Sequence, residues 1–311
     1  FNISGNINDR VYLGLTVGIH DVNYDGYSEY TEAFLDGDKS AGDITIADER
    51  RISGTGFDVK AGVIFRPVEE SPFRIGFSIA SPIWYDLETE NYTTLYNNTP
   101  YGLYDDGNIG EVYEFKLSTP WKFGLSAGTT IGNYLALGAG YEDADYGNID
   151  SRINTGSSYD FLTDSYYESS SPDRDMNRHT EESLKGVSTF KVGAEYRPDP
   201  SIAIRFGYNY VSPMYDKDAY KSVDADSPGL YYSSATDYTN WESTSRFTCG
   251  LGYNAGKMTF DVAYQYSSQN GKFSPFTSYY DSEPSELDNI VEPVNVSNKR
   301  HQLLLTLGYS F

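Results

Sequence analysis

The sequence lacks what several common classes of protein require. It contains a single cysteine, Cys249, in 311 residues, so no disulfide can form within the chain. It has no apolar run of about eighteen residues, which excludes a transmembrane helix. It has only 23 basic residues against 45 acidic ones, and its net charge of −22 would repel nucleic-acid phosphates. A disulfide scaffold, a helical membrane protein and a nucleic-acid-binding protein are therefore excluded.

Helical periodicity is also missing, and a period of two takes its place. Apolar residues alternate with polar or small ones in ten segments, which are 11–22, 56–67, 73–84, 112–130, 134–145, 186–197, 202–211, 246–254, 258–267 and 301–311. Such alternation predicts strands with one apolar face. We expect 112–130 to be one long strand that keeps Tyr113, Phe115 and Phe123 on its apolar face. The sequence predicts an all-β protein.

The connections between these segments alternate between short and long. Short turns such as "VEESP", "IGNY", "RPDPS" and "NAGK" lie at one end. At the other end lie five long connections, which are 23–55, 85–111, 146–183, 212–244 and 268–298. A soluble sandwich rarely has loops of that length, whereas an outer-membrane barrel has short turns at one end and long loops at the other. We therefore expect residues 1–311 to form a single transmembrane antiparallel up-and-down β-barrel in the bacterial outer membrane, surrounded by its lipid, with five extracellular loops.

The two ends of the sequence add to this expectation. The last segment alternates up to Phe311, and this final aromatic residue resembles the C-terminal signature that outer-membrane barrels present to their assembly machinery. The first residues, "FNISGNINDR", lack the basic start and apolar core of a signal peptide. We expect the sequence to be a processed product or a fragment.

Charge separates the predicted loops from the predicted strands. The five long connections hold 33 of the 45 acidic residues but only 9 of the 23 basic ones. The polar face of the strands, which would line the lumen, carries charges of both signs. Its candidate contacts for the head group of an anionic ligand are Lys60, Arg66, Arg74, Lys122 and Arg205. The alternative is a network of ion pairs that fills the barrel, and both roles can hold together.

Aromatic residues are frequent in the predicted loops, and they suit a surface that captures apolar molecules from water. The candidates for ligand capture are Trp84, Tyr85, Phe161 and Trp241. The alternative is that these rings pack the loops into a compact cap. Inside a predicted strand, Pro120 cannot donate a ladder hydrogen bond, so it predicts a kink in the wall.

Catalysis and metal binding find little support in the sequence. Only His20, His179 and His301 are present, on separate elements and outside any catalytic motif. No calcium-binding loop of the DxDxDG type occurs. We expect no enzymatic activity, no cofactor and no metal site.

Three segments carry a resemblance to a known family. They are "SPIWYDL" (81–87), "LSTPWKFGLSAG" (117–128) and "AEYRPDPSIAIRFGYNYVSPMY" (194–215). Here the chain resembles the FadL/TodX-type outer-membrane transport family of long-chain fatty-acid and aromatic-hydrocarbon channels. The resemblance implies a fourteen-stranded barrel, an N-terminal hatch in the lumen, ligand capture by extracellular loops and release through a gap in the wall.

The sequence departs from that family pattern at its start. The hatch and the first strands are absent, so the ten strands are expected to be the C-terminal part of a fourteen-stranded barrel. The family's gap involves an early strand beside the hatch, whereas Pro120 lies on a later one. The hatch residues that line the family's ligand site have no counterpart here.

The resulting hypothesis is an outer-membrane channel for passive uptake of hydrophobic small molecules, such as long-chain fatty acids or aromatic compounds. One alternative is a barrel that acts as a scaffold or shuttle subunit of an outer-membrane secretion or assembly complex. Another is a general porin.

Overall fold

The computed structural model describes residues 1–99, 102–107, 111–222, 224–231, 237–278 and 290–309. The strands are β1 (Asn2–Ile7), β2 (Val11–Asp36), β3 (Lys39–Phe65), β4 (Arg74–Ala80), β5 (Trp84–Thr99), β6 (Gly102–Gly107), β7 (Glu111–Ser118), β8 (Lys122–Ile131), β9 (Leu135–Asp145), β10 (Asp150–Asp160), β11 (Ser165–Pro172), β12 (Gly186–Asp199), β13 (Ile202–Val211), β14 (Tyr238–Ala255), β15 (Met258–Ser274) and β16 (Val294–Tyr309). The α-helices are α1 (Arg174–Ser183) and α2 (Pro228–Tyr231), and a 3-10 helix spans Tyr146–Asn148. Among the described residues, no helix is long and apolar enough to cross a membrane.

Most strands form one wall. Its order is β1-β2-β3-β4-β8-β9-β12-β13-β14-β15-β16, and every neighbouring pair is antiparallel. Tight turns join the strands at one end, called the short-turn end, and the long connections lie at the opposite, hairpin end. The predicted all-β, antiparallel up-and-down architecture is confirmed. Phe311, whose terminal position motivated part of that prediction, lies outside the described residues.

A second branch of the sheet, called the upper sheet, grows from the hairpin end. The upper part of β3 pairs with β5, and the order continues through β7 and β10 to β11, with β6 beside β5. The segments 23–55, 85–111 and 146–183, which we expected to be loops, therefore contain strands. These strands are mainly polar, with only scattered apolar residues such as Ile52 and Leu87, so they lack the sustained apolar alternation that predicted the strands of the wall. Parts of 85–111, 212–244 and 268–298 lie outside the described residues.

The wall has an apolar outer face. Along β16, Leu303, Leu305 and Leu307 are 64%, 69% and 66% exposed, although each pairs with an apolar or aromatic residue of β15. Phe57 and Val59 on β3 are exposed in the same way. A continuous apolar surface of this extent marks a face that contacts lipid or another protein rather than water.

Two neighbouring strands break at the same level. β4 ends at Ala80 and β5 begins at Trp84, while β3 runs past both without interruption. Ala80 pairs with Lys60 and Trp84 pairs with Phe57, so four steps along the broken strand oppose three steps along β3. The same single extra residue occurs between β7 and β8, across Pro120. An extra residue of this kind turns all following side chains to the other face of the sheet.

The prediction of one continuous strand over 112–130 is therefore wrong. Phe123 lies on the outer face of β8, whereas Tyr113 and Phe115 lie on the inner face of β7. The physical reason is Pro120, which has no N–H to donate and interrupts the ladder between the two halves. A period counted straight through the proline assigns the β7 aromatics to the wrong face.

Candidate functional site

The inner face of the wall carries charges that are mostly paired. The carboxylate of Asp58 is buried, with its side chain 1% exposed, and lies 3.1 Å from His20 Nε2 and 3.0 Å from Lys60 Nζ. These residues come from β2 and β3, where Gly18 pairs with Asp58 in register. The carboxylate thus cross-links two strands on the inner face of the wall.

A second network lies nearer the short-turn end. The Arg205 guanidinium on β13 donates to Glu195 on β12 at 2.7 Å and to Asp261 on β15 at 2.5 Å. Glu195 also accepts a hydrogen bond from Arg197 at 2.6 Å. Charged partners on three strands are joined through one guanidinium, so this network stabilises the wall.

Glycines on the inner face provide room for both networks. A Cβ at Gly18 would overlap Asp58 Oδ1 and lie 3.2 Å from His20 Nε2. A Cβ at Gly252 would lie 2.6 Å from Asp261 Oδ1 and 3.1 Å from Arg205 Nη1. The ion pairs therefore occupy the space that side chains at these two positions would fill.

The five predicted head-group residues do not form one site. Lys60 and Arg205 belong to the two networks, and Arg66 Nε donates to the Ser71 carbonyl at 2.7 Å in a short turn. The Arg74 guanidinium lies 5.6 Å from the centroid of the Tyr12 ring, as in a cation–π contact. The ammonium of Lys122 has no ion-pair partner within the described ranges.

Lys60 and Lys122 face the same side. Both pair in register with Ala80, one from each neighbouring strand. Two strand spacings place their backbones about 10 Å apart. The ammonium of Lys60 is paired with Asp58, so of these two lysines only Lys122 lacks an ion-pair partner among the described residues.

Pro120 is buried at the break between β7 and β8, and hydrogen bonds span that break. Thr119 N donates to the Ile83 carbonyl at 3.1 Å, and Ile83 N donates to Thr119 Oγ1 at 2.9 Å. Ser81 exchanges two hydrogen bonds with the backbone of Val59 in a similar way. The strand ladder is therefore interrupted at this level, and hydrogen bonds cross the interruption.

The four predicted capture aromatics lie in different places. Trp84 packs on the outer face with its ring 5.0 Å from Phe57, and Tyr85 lies on the inner face with its ring 6.2 Å from His20. Phe161, at the tip between β10 and β11, is 88% exposed. Trp241 lines a cavity of about 310 Å³.

An aromatic-walled cavity of about 160 Å³ lies on the inner side of the upper sheet. Its apolar lining comes from Ile52 on β3, Tyr113 and Phe115 on β7, and Met176 on α1. The two rings on β7 are nearly parallel, with centroids 5.7 Å apart. We call this space the upper cavity. Sequence reasoning missed it, because the side change at Pro120 hides which face carries these rings.

Helix α1 lies over the upper cavity and is held at its first turn. Asp173 caps the helix, with Oδ1 accepting from Met176 N at 3.1 Å and Oδ2 accepting from Ser227 Oγ at 2.6 Å. Asn177 binds both backbone groups of Ser151 through its side chain, at 2.7 and 3.1 Å. Asp173 and Ser227 are buried, so these contacts hold the cover of the cavity in place.

Two guanidinium groups and one carboxylate line the upper cavity, from Arg50, Arg152 and Asp173. Arg50 on β3 lines it, and its Nε donates to Asn91 Oδ1 at 2.8 Å. Burial lowers the pKa of the nearby Lys221, and the charge of Arg50 lowers that pKa further, while Asp237 and Asp48 oppose the shift. Within the described part of the chain, no group of three or more His, Cys, Asp or Glu side chains is arranged to hold a metal ion.

Comparison with known proteins finds similarity in structure. No family model and no curated protein matches the sequence. A solved structure of a Pseudomonas aeruginosa FadL homologue matches 99% of this chain and 66% of that chain, with 15% identity and a TM-score of 0.58. The CymD monoaromatic hydrocarbon channel (10% identity, 100% and 81% coverage, TM-score 0.46) and the Ralstonia pickettii toluene transporter TbuX (10%, 99% and 80%, 0.45) match less well.

The first of these matches defines the fold. The chain spans less than two thirds of the length of the FadL homologue and follows its fold over that span. The resemblance to FadL/TodX-type channels is confirmed at the level of the fold.

Proposed function

We propose that this chain forms wall and extracellular strands of an outer-membrane channel for passive uptake of hydrophobic small molecules, such as long-chain fatty acids or aromatic compounds. The observation that carries the proposal is a wall with apolar side chains outside and paired charges inside, in the fold of a FadL homologue. That arrangement suits a strand wall surrounded by lipid.

The inner face favours a hydrophobic-compound channel over a general porin. A wide ionic pore needs unpaired charges along its inner face, whereas Asp58 is paired with His20 and Lys60, and Arg205 is paired with Glu195 and Asp261. At the hairpin end, by contrast, the upper cavity offers apolar and aromatic walls. Ligand capture at this cavity is consistent with the extracellular position that long connections have in such barrels.

Uptake by whole cells tests the proposal. The full-length protein is expressed in the outer membrane of a host with low background uptake, and the entry of radiolabelled toluene and oleate is measured. We expect faster entry of at least one of them than with empty vector. Ile52→Asp, which places a charge in the upper cavity, should lower that rate, while Ser53→Asp on the exposed opposite face should leave it unchanged.

Two results would contradict the proposal. A large, steady ion conductance in planar bilayers without faster uptake would indicate a porin. A stoichiometric complex with other proteins, again without faster uptake, would support the scaffold role.

A further inference from the structure

Two buried hydrogen-bond donors lie beside the upper cavity. Arg50 Nη2 and Asn91 Nδ2 are both buried, and neither has a hydrogen-bond partner among the residues that the structure describes. Both residues line the cavity, and Asn91 is only 4% exposed. Buried polar groups in folded proteins nearly always have a partner, so an unpaired pair at one cavity calls for an explanation.

The hydrogen bond between the two side chains fixes their orientation. Because Asn91 Oδ1 accepts from Arg50 Nε at 2.8 Å, the amide group presents Nδ2 as its remaining polar atom. The two residues pair in register on β3 and β5, so their side chains lie side by side on the same face of the sheet. Two adjacent N–H donors, one of them on a guanidinium, match the two oxygens of a carboxylate.

The size and lining of the cavity limit the rest of the ligand. Its volume is about 160 Å³, and an apolar protein cavity of about 150 Å³ is known to bind benzene. The flat, parallel rings of Tyr113 and Phe115 offer an aromatic ligand a stacking surface, and Met176 and Ile52 complete the apolar lining.

We infer that the upper cavity binds a small aromatic carboxylate. Its carboxylate oxygens accept hydrogen bonds from Arg50 Nη2 and Asn91 Nδ2, and its ring lies among Tyr113, Phe115 and Met176. A bare hydrocarbon would fill the same apolar space but leave both donors unpaired, so the carboxylate is preferred. The inference deepens the proposed function, since uptake would begin with capture at this cavity.

Titration calorimetry on the purified full-length protein in mild detergent tests the inference, with benzoate and toluene as probes. We expect benzoate to bind once per chain and more tightly than toluene. Asn91→Asp keeps the side-chain shape and the acceptor for Arg50 Nε but replaces the free donor by a negative charge. It should weaken benzoate binding at least roughly tenfold, since a hydrogen bond to a charged group is lost, and leave toluene binding nearly unchanged.

Arginine variants provide the matched control. Arg50→Gln should weaken benzoate binding by a similar factor. Arg51→Gln should not, because Arg51 is the exposed neighbour on the opposite face and pairs with Asp25 and Glu49. Circular dichroism and the thermal midpoint establish that each variant is folded, and Asn91→Asp keeps the test valid where Arg50→Gln does not fold.

Three results would overturn the inference: no binding of benzoate, equal affinity for both probes, or benzoate binding that neither Asn91→Asp nor Arg50→Gln weakens. The two proposals also fail separately. Normal uptake of toluene without benzoate binding would refute the carboxylate site and leave the channel intact. Benzoate binding without uptake of any probe would refute the channel and leave the site intact.

Discussion

Replacing Gly18 by alanine tests whether inner-face glycines are required by the ion pairs. The new Cβ would overlap Asp58 Oδ1, so the carboxylate has to move away from His20 and Lys60. Removing the partners of a buried charge costs about 3–5 kcal/mol. Because the Lys60 side chain is 50% exposed and partly solvated, we expect the lower part of that range, about 3 kcal/mol of unfolding free energy.

Gly14 provides the matched control on the same strand and the same face. Among the described residues, a Cβ at Gly14 meets no atom within 4 Å, so Gly14→Ala should be neutral or stabilise the strand by about 0.5–1 kcal/mol. Urea unfolding of both variants in detergent, followed by tryptophan fluorescence and by the mobility shift of unheated samples in gels, measures the difference. Equal stability of the two variants would refute the argument that Asp58 occupies the space above Gly18.

Three further predictions concern the break, the cover of the upper cavity and pH. Thr119→Val removes the acceptor of the Ile83 N–H, so we expect the free energy of unfolding to fall by about 1–3 kcal/mol and the Ile83 amide to exchange faster. An unchanged exchange rate would show that this hydrogen bond does not hold the break between the strands together. Asp173→Ala removes the cap of α1 and should destabilise that helix by about 1–2 kcal/mol, seen as faster exchange of its amides, whereas exchange in β12 should stay the same. The pKa of Lys221 is lowered in the folded protein, so between that pKa and 10.5 the unfolded chain binds more protons and stability rises with pH. The thermal midpoint of the unmodified protein should therefore approach that of Lys221→Met as pH increases toward 10.5, and a constant difference would show that the charge of Lys221 has no such effect.

The strands of the wall could be predicted from sequence because each has one apolar outer face and one polar inner face. In 11–22 and 258–267, the outer side chains are apolar and the inner ones small or polar, so each residue's type reports its face. The upper sheet lacks that pattern. Its β10 and β11 are mainly Ser, Tyr, Asp and Asn on both faces, and hydrogen bonding to neighbours rather than burial determines their structure.

The candidate site was harder to predict, for a related reason. The upper cavity combines side chains of β3, β5, β7 and α1, which are far apart in the chain, and its faces depend on the extra residue beside Pro120. The proline itself gave a sequence signal for a kink. A proline, Pro82, also lies at the companion break between Ala80 and Trp84, but alternation alone could not detect the change of side that follows each proline.

The two breaks also constrain how this sequence can change over time. Deleting one residue at Pro82 alone would turn β5 over and direct Asn91 away from the cavity, while β7 kept its present face and the β5–β7 pairs lost their match. A second deletion at Pro120 would restore that match, but with Tyr113 now outside. The second deletion thus restores the pairing of β5 with β7 but does not restore binding at the cavity. A lineage can therefore lose the cavity in two steps and still assemble the whole sheet.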